Sequence, residues 1–237
     1  MSKSRTIISG IFWTIIQNFT SILYGVVSVP FLINYFGNEE YGLIGIATSV
    51  NVYIQLLDLG MTNSVVKFLS ESIEEKNANK TQKLFSFTFS FYTILGLLNT
   101  IILIILSLFT DRLFNVTPDQ AITLRNLLIV LSANATFSWI SVCIDQILFA
   151  DELISWSRKR MSLLKICQFA ILFVTIHLRL SIELYFFCYV FLATLILPIS
   201  IHKIRNLLPY LKFSYKIDIE TVKSVIPYIL GIFSGHQ

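Results

Sequence analysis

Charge is what this sequence has least of. Only 14% of its 237 residues are Asp, Glu, Lys or Arg, against about 25% in an ordinary soluble domain. That deficit excludes a typical cytosolic globule. It also excludes disorder, which needs low hydrophobicity and high charge, because 55% of the residues are hydrophobic and the mean hydropathy is +0.73. Three cysteines are too few for a disulfide scaffold, and nine glycines too few for a collagen-like repeat. Cys143, Cys167 and Cys188 fall inside apolar runs without metal-ligand spacing, and read as small packing residues. His177, His202 and His236 are scattered, with no nucleophile or carboxylate constellation around them. There is no Gly-x-x-x-x-Gly-Lys-Ser/Thr loop, hence no ATP site of that kind. An integral-membrane transferase would need a carboxylate pair or a His–Asp site at a membrane edge. The close acidic pairs Glu39–Glu40, Glu74–Glu75 and Asp151–Glu152 lie in connections without a matching His. The sequence therefore reads as a non-enzyme, with no metal and no cofactor.

What is present is contiguous apolar sequence. A helix needs roughly 20 such residues to cross a ~30 Å hydrocarbon core. Six segments qualify: Thr6–Tyr35, Tyr41–Val66, Leu84–Thr110, Ile122–Ala150, Met161–Leu178 and Leu184–Ile201. A seventh begins at Ser224. The first is too long for the apolar core of a signal peptide, and no small-x-small cleavage site follows it. The runs are continuous, not alternating, so they predict helices and exclude a membrane β-barrel. The fold expected is an all-α integral membrane protein. A six-helix lobe spans 1–201, a cytoplasmic interfacial linker 202–223, and the start of a seventh helix 224–237.

The few charges are organised. With the N-terminus inside, the inner connections hold 15 of the 18 bases, and only Arg112, Arg125 and Arg179 lie outside. This asymmetry orients the chain by the positive-inside rule, with a cytoplasmic N-terminus. It also accounts for the net charge of +4. The bases adjoin anionic membrane lipid, so no nucleic-acid partner is needed.

The segment Pro30–Lys67 reads PFLINYFGNEEYGLIGIATSVNVYIQLLDLGMTNSVVK. It has a Pro near the end of the first span, an outer turn of the type FGxEEYG and a second span ending LLDLG. A small polar patch and a basic residue follow. In this order it resembles the polysaccharide flippase branch of the MOP exporter superfamily, the Wzx-type O-antigen transporters. ILFADELISWSRKRM and FSYKIDIETVKSVIPYILGIFSG extend the likeness more loosely. The resemblance implies a two-lobe, MATE-like transporter that moves an undecaprenyl-pyrophosphate-linked oligosaccharide across the cytoplasmic membrane. Other polysaccharide assembly proteins would be its partners. By that template the chain is the N-terminal lobe plus the beginning of a second, a truncated copy. A drug or ion antiporter of the same superfamily, or an inactive fragment, are the alternatives.

Ionisable and polar groups inside spans are the functional candidates, since burying an unpaired charge is costly. Asp58, Asp145 and Lys165 are expected in the inner half of the membrane, with Asp145–Lys165 or Asp58–Lys165 as an ion pair that rearranges or titrates during transport, or holds helices together. Asn51, Gln55 and Asp58 recur at helical spacing and share a face with Thr62. The resemblance places this stripe, with Gln17 and Asn18 of the first span, on the cavity wall; interhelical hydrogen bonding is the other reading. Asn134, Thr136 and Ser138 read as interhelical glue. Pro30, inside the first span, is a kink or gating candidate. A pyrophosphate-bearing substrate should attract arginine, and Arg125 is read as snorkelling to the interface.

Overall fold

The computed structural model describes residues 3–58, 60–151, 153–216, and 218, 223, 225 and 227. Eight α-helices account for most of them: α1 (Lys3–Phe36), α2 (Asn38–Gln55), α3 (Met61–Glu74), α4 (Ala78–Leu108), α5 (Thr110–Leu113), α6 (Pro118–Ala150), α7 (Ile154–Leu178) and α8 (Ile182–Leu207). Five are long and apolar enough to cross a membrane: α1 from Ile8, α4, α6, α7 and α8. No strand occurs among the described residues.

The helix ends follow local chemistry. Thr117 and Gln120 cap α6 reciprocally, with Pro118 in its first turn. The Ser181 hydroxyl accepts from the Leu184 N–H to start α8, and Asn77 accepts from the Lys80 N–H to start α4. Gly37, at φ +91°, separates α1 from α2. α1 runs through Pro30 without interruption, and Pro30 is exposed on its surface.

One expectation changes. The second apolar run, Tyr41–Val66, is not a single helix. α2 tightens into a 3₁₀ turn over Leu56–Asp58, Gly60 adopts the left-handed conformation at φ +80°, and α3 leaves at 47° to the preceding helix. A 3₁₀ turn at Leu56–Asp58 and a left-handed Gly60 before α3 do not continue one α-helix axis. Five continuous long apolar helices therefore stand where six were expected, with the bent α2–α3 pair as the remaining apolar stretch.

α6 is the central helix, and half of its most apolar window is buried, against 17% for α1. Its most extensive pairing is with α4, and it also packs on α2, α3, α7 and α8, while α1 lies along α7. Two apolar cores result. One gathers Met61, Leu69, Phe85, Tyr92, Trp139, Ile144 and Ile204. The other gathers Leu32, Leu43, Leu103, Leu124, Leu172 and Phe186. The outward face of α1 leaves Ile8, Ile11, Ile15, Phe19, Ile22 and Val26 exposed, as a lipid-facing helix would.

Contacts between helix ends sort the connections onto two sides. Ser9 with Ser155 (3.0 Å), Ser70 with the Ala150 carbonyl (3.0 Å) and Gln82 with Lys212 (2.7–2.8 Å) join one end. Tyr35 with the Leu180 carbonyl (3.2 Å) and Glu39 with Gln120 (3.0 Å) join the other. The first end carries the connections that hold most of the bases.

The segment 202–223 departs from a simple surface linker. His202–Leu207 completes α8, and Leu208, Leu211 and Phe213 turn inward onto the first core. Apart from Val225 and Pro227, the expected start of a further helix at 224–237 lies outside the described residues.

Candidate functional site

The break between α2 and α3 places Asp58 where two helices end inside an apolar bundle. Its carboxylate accepts from the Thr62 N–H (3.3 Å), the Thr62 hydroxyl (3.2 Å) and the Tyr92 hydroxyl (2.6 Å). The first of these lies in the opening turn of α3, where the helix dipole favours a negative charge. Gln146 Nε2 donates to Tyr92 (2.6 Å) and to Thr62 (3.1 Å). Four residues from α3, α4, α6 and the 3₁₀ turn thus form one network. No basic side chain joins it among the described residues.

Packing fixes the network. The Tyr92 ring is fully buried and stacks on Trp139, with ring centroids 5.7 Å apart. Gln146 is also buried, and its Oε1 has no partner among the described residues. An unsatisfied acceptor in such a place is costly. Beside the network opens a cavity of about 240 Å³ lined by Gln55, Asp58, Thr62, Ser138, Trp139 and Val142. The site combines a carboxylate, hydroxyls and amide oxygen, a hard donor set suited to a proton, a small cation or a polyhydroxyl ligand.

The stripe of polar residues divides. Gln55 and Asp58 face this cavity. Asn51 instead accepts a hydrogen bond from Asn99 at 3.1 Å, so it joins helices. Gln17 accepts from Arg158 at 3.2 Å and donates to Ser21 at 3.1 Å. Asn18 is exposed on α1. The structure does not bring Gln17 and Asn18 to the cavity that Gln55 and Asp58 line.

The ionic pairing also differs from expectation. Asp145 pairs with Arg160, not Lys165, at 2.5 and 2.6 Å to its two carboxylate oxygens. Ser157 donates to the same carboxylate at 3.3 Å, and Arg160 reaches Ser200 at 3.0 Å. The pair therefore ties α6, α7 and α8. Lys165 donates to Gln168 at 2.9 Å and lies 5.0 Å from the ring centroid of Tyr24, a cation–π contact. Asp58 meets neither base. Asp145 and Gln146 are adjacent in sequence yet serve different neighbours.

Asn134 accepts from the Thr194 hydroxyl, and Thr136 lies 3.2 Å from the Thr100 hydroxyl. Both are interhelical bonds, as read from sequence, whereas Ser138 lines the cavity. Tyr92, Gln146 and Arg160 were not singled out by sequence reasoning. Among the described residues no group of His, Cys, Asp or Glu could hold a metal ion.

Fold and site together describe an all-helical chain, compatible with a multi-pass membrane protein, that carries a carboxylate network at a broken helix. Comparison with protein-family models, curated proteins and solved structures found no match.

Proposed function

We propose that this chain is a lobe of a membrane flippase that carries lipid-linked oligosaccharide units across the cytoplasmic membrane, its N-terminus inside. The bent α2–α3 pair serves as the sixth span. One observation carries the reading: the LLDLG segment, which resembles polysaccharide flippases, is the place where a span breaks and turns an unpaired carboxylate toward a polar cavity. Discontinuous spans are a recurrent device for substrate and ion sites in transporters. The cavity offers Gln55, Thr62 and Ser138, groups that suit sugar hydroxyls. Arg160 is already neutralised by Asp145, so it offers no free positive charge to a pyrophosphate. Other polysaccharide assembly proteins are the expected partners.

The test is complementation. The chain is expressed together with a second flippase lobe in a strain that lacks its own flippase, and surface polysaccharide is measured. Restored polysaccharide that is lost on Asp58→Asn, at equal membrane levels, is the expected outcome. Accumulation of inner-leaflet lipid-linked units with the wild-type chain in the membrane refutes the proposal. Drug efflux without polysaccharide export would assign the chain to the antiporter branch.

A further inference from the structure

A second pocket lies at the basic end of the bundle, away from the Asp58 network. It encloses about 520 Å³ between the start of α4 and the segment after α8, within the ~300–1,000 Å³ range of ligand sites. Every described residue lining it is polar, in a chain that is 55% hydrophobic. Lys83 and Lys216 supply two positive charges, and Asp218, 3.3 Å from the Lys83 ammonium, supplies one negative charge. Asn79, Ser86 and Ser214 add hydrogen-bonding groups.

The pocket walls are fastened together. The Gln82 side chain donates to the Lys212 carbonyl at 2.8 Å and accepts from the Lys212 N–H at 2.7 Å. Beyond this clasp, Phe213 packs edge-on against Phe85 and Phe89, each with centroids 5.2 Å away. The segment that presents Lys216 is thus anchored to the helix that presents Lys83.

We infer that this pocket binds the phosphodiester headgroup of an anionic phospholipid from the membrane leaflet at the basic end. The described ionic groups lining it, Lys83, Lys216 and Asp218, sum to +1, which a phosphodiester's single negative charge balances. Lysines act as point-charge phosphate donors, and basic pockets between spans hold anionic headgroups. The neighbouring hydroxyl and amide groups suit a glycerol headgroup. The choline of a zwitterionic lipid would instead meet the two ammonium groups. The inference rests on the membrane reading of the helices and not on the transported substrate.

The experiment is titration of dioctanoyl phosphatidylglycerol into the full chain in neutral detergent at physiological ionic strength, read by native mass spectrometry. Wild type is expected to retain one lipid saturably and to prefer it to the phosphatidylcholine analogue. Lys83→Gln with Lys216→Gln should weaken binding roughly 30-fold, about fivefold per lysine. Asp218→Asn should strengthen it. Lys76→Gln with Lys80→Gln removes the same charge from the same end and should change it less than about twofold. Lys216→Gln alone, at an exposed side chain, gives a fivefold reading should the double variant fail to fold. Equal weakening by the two lysine pairs, or wild-type binding in Lys216→Gln, overturns the site. Displacement of the lipid by millimolar glycerol phosphate overturns its assignment to a lipid.

Discussion

Gly96 tests how the centre of the bundle is held. A Cβ placed there would stand 2.7 Å from the Cα of Thr136 and 3.4 Å from its Cβ and Cγ2. Carbon atoms pack best at about 3.5–4.0 Å, so α4 and α6 must part by roughly 1 Å to admit a methyl group. The nearest atom is backbone, and no rotamer change relieves it. The same stretch carries two hydrogen bonds, from the Thr100 hydroxyl to the Ser132 carbonyl (3.1 Å) and between Thr100 and Thr136 (3.2 Å). Separation lengthens both. Overpacking costs about 1–3 kcal/mol, and each interhelical bond in a membrane adds about 0.6 kcal/mol. Alanine returns about 1 kcal/mol in helix propensity. Gly96→Ala should therefore destabilise the full chain by about 1–3 kcal/mol, read by reversible unfolding in mixed micelles. Tyr92 lies one turn away on α4, so its 2.6 Å bond from Gln146 should loosen as well. Thr136→Ala leaves the Cα in place and should not rescue the variant. Unchanged stability in Gly96→Ala, or full rescue by Thr136→Ala, would refute the close approach.

Two further outcomes follow from the polar contacts and one from Pro30. Tyr92→Phe keeps the stack on Trp139 but removes the hydroxyl that bridges Asp58 and Gln146; a loss of about 1–3 kcal/mol in the same unfolding assay is expected. Asp145→Asn and Arg160→Gln each break a mostly buried pair, with side chains 15% and 12% exposed, and should each cost about 3 kcal/mol. The double variant should cost less than their sum, and strict additivity would show that the two do not interact. Pro30→Ala alters an exposed position in an uninterrupted helix, so transport in the complementation assay should be unchanged, whereas a loss at equal protein level would restore a gating role.

Helices were the legible part of this chain, because apolar length alone defines them. Thr6–Tyr35 and Ile122–Ala150 are matched by α1 and α6 to within a few residues. Their polar extensions were less visible: α7 begins at Ile154, seven residues before the apolar run, and carries Arg158, Lys159 and Arg160 in its first turns. Hydropathy reports what lies in hydrocarbon, while hydrogen bonding continues a helix beyond it. The break at Leu56–Gly60 was hidden for a related reason. Leu, Leu and Leu flank Asp58 in sequence, so the average stays apolar across a turn that depends on the conformation of one glycine.

The site partners were obscured by a question of depth, and depth could have been counted. In an antiparallel helix pair, residues equally far from the connecting turn lie at the same level, because each residue advances about 1.5 Å. Asp145 and Arg160 stand eight and seven residues either side of Leu153 and pair at 2.5 Å. Lys165 stands twelve away, roughly 7 Å deeper on that measure, so its charge could not meet Asp145 without bending a helix. Asn51 and Asn99 each lie 24 residues from Glu75 and are bonded at 3.1 Å. Asp58 and Tyr92 each lie 17 from the same residue and are bonded at 2.6 Å. Depth matching on both sides of the Leu56–Gly60 turn means that the turn costs α2–α3 little length against α4, despite the 47° bend. The bent pair keeps step with a 31-residue helix, so the break reorients Asp58 toward Tyr92 and the cavity without shortening the path across the bundle.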